Sequence, residues 1–208
     1  MTTSSATSAR PRRIVVGVTG ASGAIYARRL LELLSRARQP GLEVHWVVSA
    51  TAGQVWQAEL GEAMPSALAG LRRWDRGDFT APFASGSNPA DVVLMPCSMS
   101  SLARVAWGGG DDLLARACEV ALKERRKLIL VVRETPLSLV HLRNMVAATE
   151  AGALILPAVP SFYAAITTLE QAIDSVVARV LDQLGVEHEL LPRWGAAPSS
   201  SPASPSSP

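Results

Sequence analysis

Three features of the sequence predict an α/β fold, an open doubly wound parallel sheet. Five short β-branched runs are apolar at nearly every position, as strands covered on both faces are. Segments of helical periodicity fill most of the gaps between them. Each run leads into a cluster rich in Gly, Ser, Thr or Pro, the punctuation that separates strand from helix. Strands and helices alternating along a chain of 208 residues specify one domain, with helices on both faces of the sheet. No internal repeat is visible.

The first strand is predicted from Ile14 to Thr19 and opens on a glycine-rich turn, Gly20 to Gly23. Ala27, Leu30, Leu31 and Leu34 then recur at i, i+3, i+4 and i+7, with Arg28, Arg29 and Glu32 turned away, which predicts a helix. A second strand is expected from Val44 to Ser49 and a third from Val92 to Pro96. Leu114, Ala117, Cys118 and Ala121 repeat the helical spacing. The fourth strand, Leu128–Val132, ends in the charged pair Arg133-Glu134, after which Thr135 as N-cap and Pro136 at N1 are expected to restart a helix. A fifth strand is expected from Ala153 to Leu156. The last helix carries Leu169, Ile173, Val176, Val177, Val180 and Leu184, and Gly185 stops it.

Composition narrows the function. Hydrophobic residues make up 48% and charged residues only 18%, which suits a chain that hides surface in an oligomer. The net charge of +2 is too small, and the basic residues too scattered, to predict nucleic-acid binding; the single cluster, Lys123 to Lys127, reads as a solvated helix end. Cys97 and Cys118 form no CxxC, so a reducing, cytoplasmic setting is expected. His45, His141 and His188 show no ligand spacing, and no metal site is expected. No apolar run approaches the roughly 20 residues of a membrane span. Residues 1–12, acid-free and rich in Ser and Arg, are expected to be a solvated tail, and the Ser/Pro-rich residues 195–208 a disordered one, flanking a domain over 13–194.

This fold places ligands beyond the carboxyl ends of the strands. Residues 20–23, 49–51, 97–101, 133–136 and 157–163 all fall there. Any one such Ser or Thr serves as a plain helix cap, but several on one edge favour an anion site. Gly17, Gly20 and Gly23 resemble the TGASG turn of short-chain dehydrogenases. A dinucleotide site also wants an acid about 20 residues on, and here the second strand ends in Ser49-Ala50-Thr51. No Tyr-x-x-x-Lys pair and no GxxxxGK[ST] is present. A single phosphate held by hydroxyls and amides remains, which suits a mononucleotide.

The stretches VTGASGAIYARRLLELL, PCSMSSLARVAWGGGDDLLARACEVALKERRKLILVVRETPLSLVHLRNM, GALILPAVPSFY and LLPRW closely resemble the UbiX-type flavin prenyltransferases, in matching order from about Arg13 to Trp194. The resemblance implies a flavodoxin-like, Rossmann-like three-layer fold, bound FMN, and transfer of a dimethylallyl group from dimethylallyl monophosphate to reduced FMN. The product, prenylated FMN, serves a partner decarboxylase in ubiquinone synthesis or aromatic-acid metabolism. Family members assemble as homododecamers with sites at subunit junctions. Carried over residue by residue, the cofactor contacts are Gly20, Ala21 and Ser22, then Ser49, then Ser98, Met99, Ser100 and Ser101, then Arg133. Arg116, Lys123, Tyr163 and Arg179 correspond to positions holding the prenyl phosphate. Ser22, Glu59 and Glu134 match polar catalytic positions, and Trp194 an aromatic that closes over the site.

Three positions depart from the commoner pattern and bear on the shape of the prenyl pocket. Ala50 stands where many members have Lys, YAAIT from Tyr163 lacks the usual His-x-Pro, and Phe79 replaces a Trp. The chemistry otherwise fits the residues. Ionising an allylic phosphate calls for cations on the leaving group and a dry site. Asp111-Asp112 does not continue into the DDxxD motif that assembles magnesium, so fixed cations are expected to act. Glu134, ending a buried strand, is expected to be desolvated and to handle a proton. A flavin-dependent cysteine decarboxylase is the nearest rival, but its PASANT-like turn reads PCSMSS here, without the Asn. A non-catalytic flavin carrier would need none of Lys123, Glu134 and Arg179.

Overall fold

The computed structural model describes residues 11–163 and 165–191, so Trp194 and most of both expected tails lie outside the described residues. Its sheet has six strands, all parallel: β1 (Arg12–Val18), β2 (Leu42–Val48), β3 (Leu71–Trp74), β4 (Asp91–Cys97), β5 (Leu128–Val132) and β6 (Leu154–Ile155). Their order is β3-β2-β1-β4-β5-β6. The helices are α1 (Ala24–Arg36), α2 (Ala52–Leu60), α3 (Met99–Trp107), α4 (Leu113–Lys123), α5 (Leu139–Glu150) and α6 (Leu169–Leu184).

The expected elements form for the expected reasons. α1 buries Ala24, Ala27, Leu30, Leu31 and Leu34. α6 buries Ile173, Val176, Val177, Val180, Leu181 and Leu184 on the same face of the sheet, where both helices share one core cluster with Ile14, Val16, Trp46, Val93 and Ile129. The alternate residues Val15, Leu94, Leu128 and Leu130 face the opposite cluster with Leu114, Ala117 and Cys118 of α4. The period of two along each strand thus divides the apolar runs between two cores. Gly17 lets α4 approach, since a β-carbon there would run into the side chains of Leu94 and Leu114.

Three expectations need correction. Arg12 belongs to β1 rather than to a tail: its guanidinium donates to the carbonyls of Leu184 and Gly185, closing the end of α6, and meets Asp91 at 3.5 Å. β3 is a sixth strand that the hydrophobic pattern does not reveal. Its sequence Leu-Arg-Arg-Trp buries only its two ends, and the arginines lie outside over the rings of Trp74 and Trp46, 3.8 and 4.9 Å from the centroids. Finally, α5 starts at Leu139, not after Thr135-Pro136. Ser138 is its N-cap, accepting from His141 N at 3.3 Å while the His141 ring accepts from Ser138 N at 3.3 Å.

Strand order reverses between β1 and β4, where the chain leaves in opposite directions and a crevice opens at the carboxyl ends. Thr19 latches that point. Its buried hydroxyl donates to Pro96 O at 2.7 Å and accepts from Ser98 N at 2.8 Å, tying the end of β1 to the end of β4.

Candidate functional site

The crevice is lined by the first turn, by the end of β2 and by the start of α3. Gly20, Ala21 and Ser22 follow β1 directly, with Ala21 buried and its neighbours partly so. A β-carbon on Gly20 would collide with Thr51 Oγ1, so only glycine lets the turn and the head of α2 come together. Gly23 sits at φ 109°, a left-handed conformation that costs a side chain but not glycine.

Helix α1 has no cap of its own at Gly23. Glu59 supplies one from α2: its carboxylate accepts from Gly23 N at 2.9 Å and from Ala24 N at 2.8 Å, and it also bonds the Ser22 hydroxyl. Desolvation pushes the Glu59 carboxyl up, but the Ser22 hydroxyl, the Ala24 and Gly23 amides and the charge of Arg133 together outweigh it and hold the group below its ordinary value. The anion at the end of α1 is therefore the protein's own. Arg133, one residue beyond β5, is close enough to act on Glu59 and on Tyr26, whose hydroxyl is raised by burial and lowered in part by that guanidinium. Ser22, Tyr26, Glu59 and Arg133 thus share one corner.

On the other side Ser98 caps α3, accepting from Ser101 N at 3.3 Å and donating to Ser101 Oγ at 3.1 Å. Met99 packs into the core below, and Ser100 is exposed. Ser49 closes the floor. Its Oγ is buried and has no hydrogen-bond partner, and it shares a cavity with Ser101, Arg104, Asp112 and Cys118. An orphaned hydroxyl oxygen, a glycine cradle and a run of serines are the donor set a single phosphate needs, so the residues present fit a mononucleotide. The thiols take no part: burial pushes Cys97 up to about 12 and raises Cys118 as well.

Glu134 differs from its expectation. The strand ends at Val132, and Glu134 stands exposed in the loop beyond, its carboxylate accepting from Thr135 N at 3.0 Å. The chain alone supplies no desolvation to this group. The residues expected to hold the prenyl phosphate are not brought together within the chain either. Lys123 ends α4, and β5 begins only at Leu128, so Lys123 stands at the amino edge of the sheet, opposite the crevice. A seven-residue strand puts about 20 Å between the two edges. Arg116 and Lys123 line one open cavity of their own with Glu119, Leu122, Arg125 and Ala151. Arg179 lies elsewhere again, in a groove between α6 and β6 with Leu156, Pro157 and Val159. Tyr163 is exposed in the loop between β6 and α6, at the carboxyl edge.

The sequence reading passed over several participants. The ASGSN segment, residues 84–88, packs on the Lys123 cluster: Arg116 Nε donates to Ala84 O at 3.0 Å, and a β-carbon on Gly86 would strike Lys123 and Glu124. Its Gly and Ser content was the available signal. Thr19 carried none beyond being a hydroxyl at a strand end. Among the described residues no group of three or more His, Cys, Asp or Glu is placed to hold a metal ion.

Comparison with known proteins identifies the family and the fold. Residues 2–181 match the Flavoprotein family. The flavin prenyltransferase UbiX of Pseudomonas aeruginosa is 43% identical over 201 residues, covering 89% of this chain and 95% of that protein. A crystal structure of AnUbiX (PadA1) in complex with FMN and dimethylallyl pyrophosphate superposes with a TM-score of 0.81 at 43% identity, over 90% of this chain and 100% of that one. A dodecameric FMN-dependent UbiX-like decarboxylase from Escherichia coli O157:H7 also gives 0.81, at 40% identity, over 88% and 100% of the two chains.

Proposed function

The chain belongs to the UbiX-type flavin prenyltransferases of the Flavoprotein family, and from that premise we propose that it joins the dimethylallyl group of dimethylallyl monophosphate to reduced FMN in the crevice between β1 and β4. The observation that carries the reading is the donor set there: the Gly20 cradle, the orphaned Ser49 oxygen and the serines at the head of α3. Reduced FMN, when bound, supplies the nucleophilic ring that accepts the allyl group. Gly20, Ala21, Ser22, Ser49, Ser98, Met99, Ser100, Ser101 and Arg133 hold it in place.

The chain's cations do the rest. Arg116, Lys123 and Arg179 take the charge that grows on the leaving phosphate, with Tyr163 as a hydroxyl donor. Since Lys123 stands at the edge away from the crevice and Arg116 lines the same outer cavity with it, they serve the crevice of another copy. An assembly, a dodecamer in the family pattern, completes each site and dries it. Exposed apolar residues support such contacts: Leu139, Val140, Leu142 and Val146 on α5, and Trp107 at 75% exposure on α3. In that setting Glu134 is covered by the neighbouring copy and moves the proton that transfer releases, while Ser22 and Glu59 hold the turn against the flavin. Prenylated FMN then passes to a decarboxylase in ubiquinone synthesis or aromatic-acid metabolism, in the cytoplasm.

The direct test is anaerobic incubation of the protein with reduced FMN and dimethylallyl monophosphate, followed by mass spectrometry of the released flavin. A flavin heavier by one five-carbon unit supports the reading. Unmodified FMN from protein that binds it overturns the transferase assignment and leaves a flavin carrier.

A further inference from the structure

We propose that Thr51 is a further cofactor-binding residue of this chain, its hydroxyl anchoring the phosphate of FMN together with that of Ser49. The inference rests on the flavin-binding reading above. Helices α1, α2 and α3 start at the crevice, and the first amides of α1 and α3 are taken by the protein's own groups. The first amides of α1 are taken by the Glu59 carboxylate, which would also repel a second anion. The first turn of α3 is capped by Ser98. At α2 the position is different. Thr51 is its N-cap residue, yet the backbone is helical there (φ −97°, ψ −12°) and the side chain makes no capping bond.

The Thr51 hydroxyl is instead turned onto the first turn. It fills the space in which Gly20 lacks a β-carbon, so the glycine admits a hydroxyl at the turn where the cofactor is held. Two residues earlier Ser49 adds the second observation: its carbonyl receives Ala52 N at 3.3 Å, fixing it against the same helix start, and its buried Oγ has no partner. A buried hydroxyl without a partner calls for one, and a phosphate oxygen meets that need as a strong acceptor. Between them stands Ala50, whose side chain carries no donor, so the neutral hydroxyls at 49 and 51 carry the anchoring.

The test compares FMN with riboflavin, which lacks the phosphate, on the full-length protein freed of flavin. Binding is followed by flavin fluorescence for wild type, Thr51→Val and Thr51→Ser. Thr51→Val keeps the shape and removes the donor, so FMN should bind about 10- to 100-fold more weakly with riboflavin affinity unchanged. Thr51→Ser restores the hydroxyl and most of the FMN affinity. Equal weakening of both ligands by Thr51→Val would mean that the residue only packs the turn, and overturns the proposal. So does unchanged FMN binding. If wild type binds neither flavin, the flavin-binding reading falls, and this inference with it.

Discussion

Oε2 of Glu59 lies 2.8 Å from the amide of Ala24, so a residue near the end of α2 closes the start of α1. The contact converts a helix end that would attract a ligand anion into a structural joint beside the glycine-rich turn. Its loss should be visible in stability. Glu59→Ala is expected to cost about 1 kcal/mol at pH 7, the usual effect of losing a cap. The folded carboxyl titrates below its unfolded value, so the stabilisation is complete above the ordinary glutamate range and disappears as pH falls through the lower folded value. Urea unfolding of wild type and variant at pH 7 and pH 3 measures it. A gap that stays constant across that range would deny the capping role.

His45 sets a second window, nearer neutrality. Burial pushes its imidazole below the ordinary value, the Glu43 carboxylate works against that, and Arg13 and Arg72 reinforce it. Nδ1 accepts from Trp74 Nε1 at 3.1 Å, which puts the proton of the neutral ring on Nε2. The unfolded chain therefore takes up a proton first, and stability falls as pH drops below about 6.5. Unfolding midpoints at pH 7.5 and 5.5 should differ more for wild type than for His45→Gln. An equal or larger difference in the variant excludes His45 as the source.

Glu134 and Arg179 should fail differently. Arg179→Ala removes a charge-assisted contact worth about 1.5–3 kcal/mol, raising the KM for the prenyl donor while FMN stays bound. Glu134→Gln keeps the shape without the proton, so FMN and donor bind and single-turnover product formation stalls. Product at the wild-type rate from Glu134→Gln would remove that residue from the chemistry.

Two inactive variants should rescue each other. Lys123→Ala leaves the amino-edge cluster defective, and Tyr163→Phe the carboxyl-edge loop. Co-expressed with different tags and purified as mixed assemblies, they should regain part of the activity that each lacks alone, because some junctions then receive both intact residues. Mixed assemblies as inactive as their parents would place the donor site within one chain.

Activity should survive EDTA. The proposed site relies on three fixed cations, Arg116, Lys123 and Arg179, which must exchange their carboxylate partners Glu119, Glu124 and Asp182 for the monophosphate. Turnover lost on chelation and regained with magnesium would show that they are insufficient.

Where burial follows a simple period, the sequence was easy to read. β1, β2, β4 and β5 are apolar on both faces, and α1, α4 and α6 each carry one buried stripe. β3 was hidden because only its two terminal residues are buried. α5 buries just Asn144 and Ala148 among its twelve residues, so its start was read from Thr135-Pro136 instead of Ser138. The hydroxyl-lined crevice at the carboxyl ends of the strands was legible because glycine and serine at strand ends report themselves. The cap from Glu59 was not, because it joins elements 35 residues apart and no local pattern encodes it. Nor could helical spacing in Arg116 and Lys123 say which edge of the sheet they reach.

The two edges of the sheet are finished differently, and this limits how copies can meet. β6 pairs over only two residues, too little backbone to template another strand. β3 is longer, at four residues, but it carries Arg72 and Arg73 side by side, one on each face, stacked on Trp74 and Trp46. Charged side chains on a short edge strand are a common means of discouraging the pairing of another strand. The sheet is in effect self-terminating. Copies can pack through helices and loops, which give closed shells, while strand-to-strand growth into open fibres is blocked at both margins.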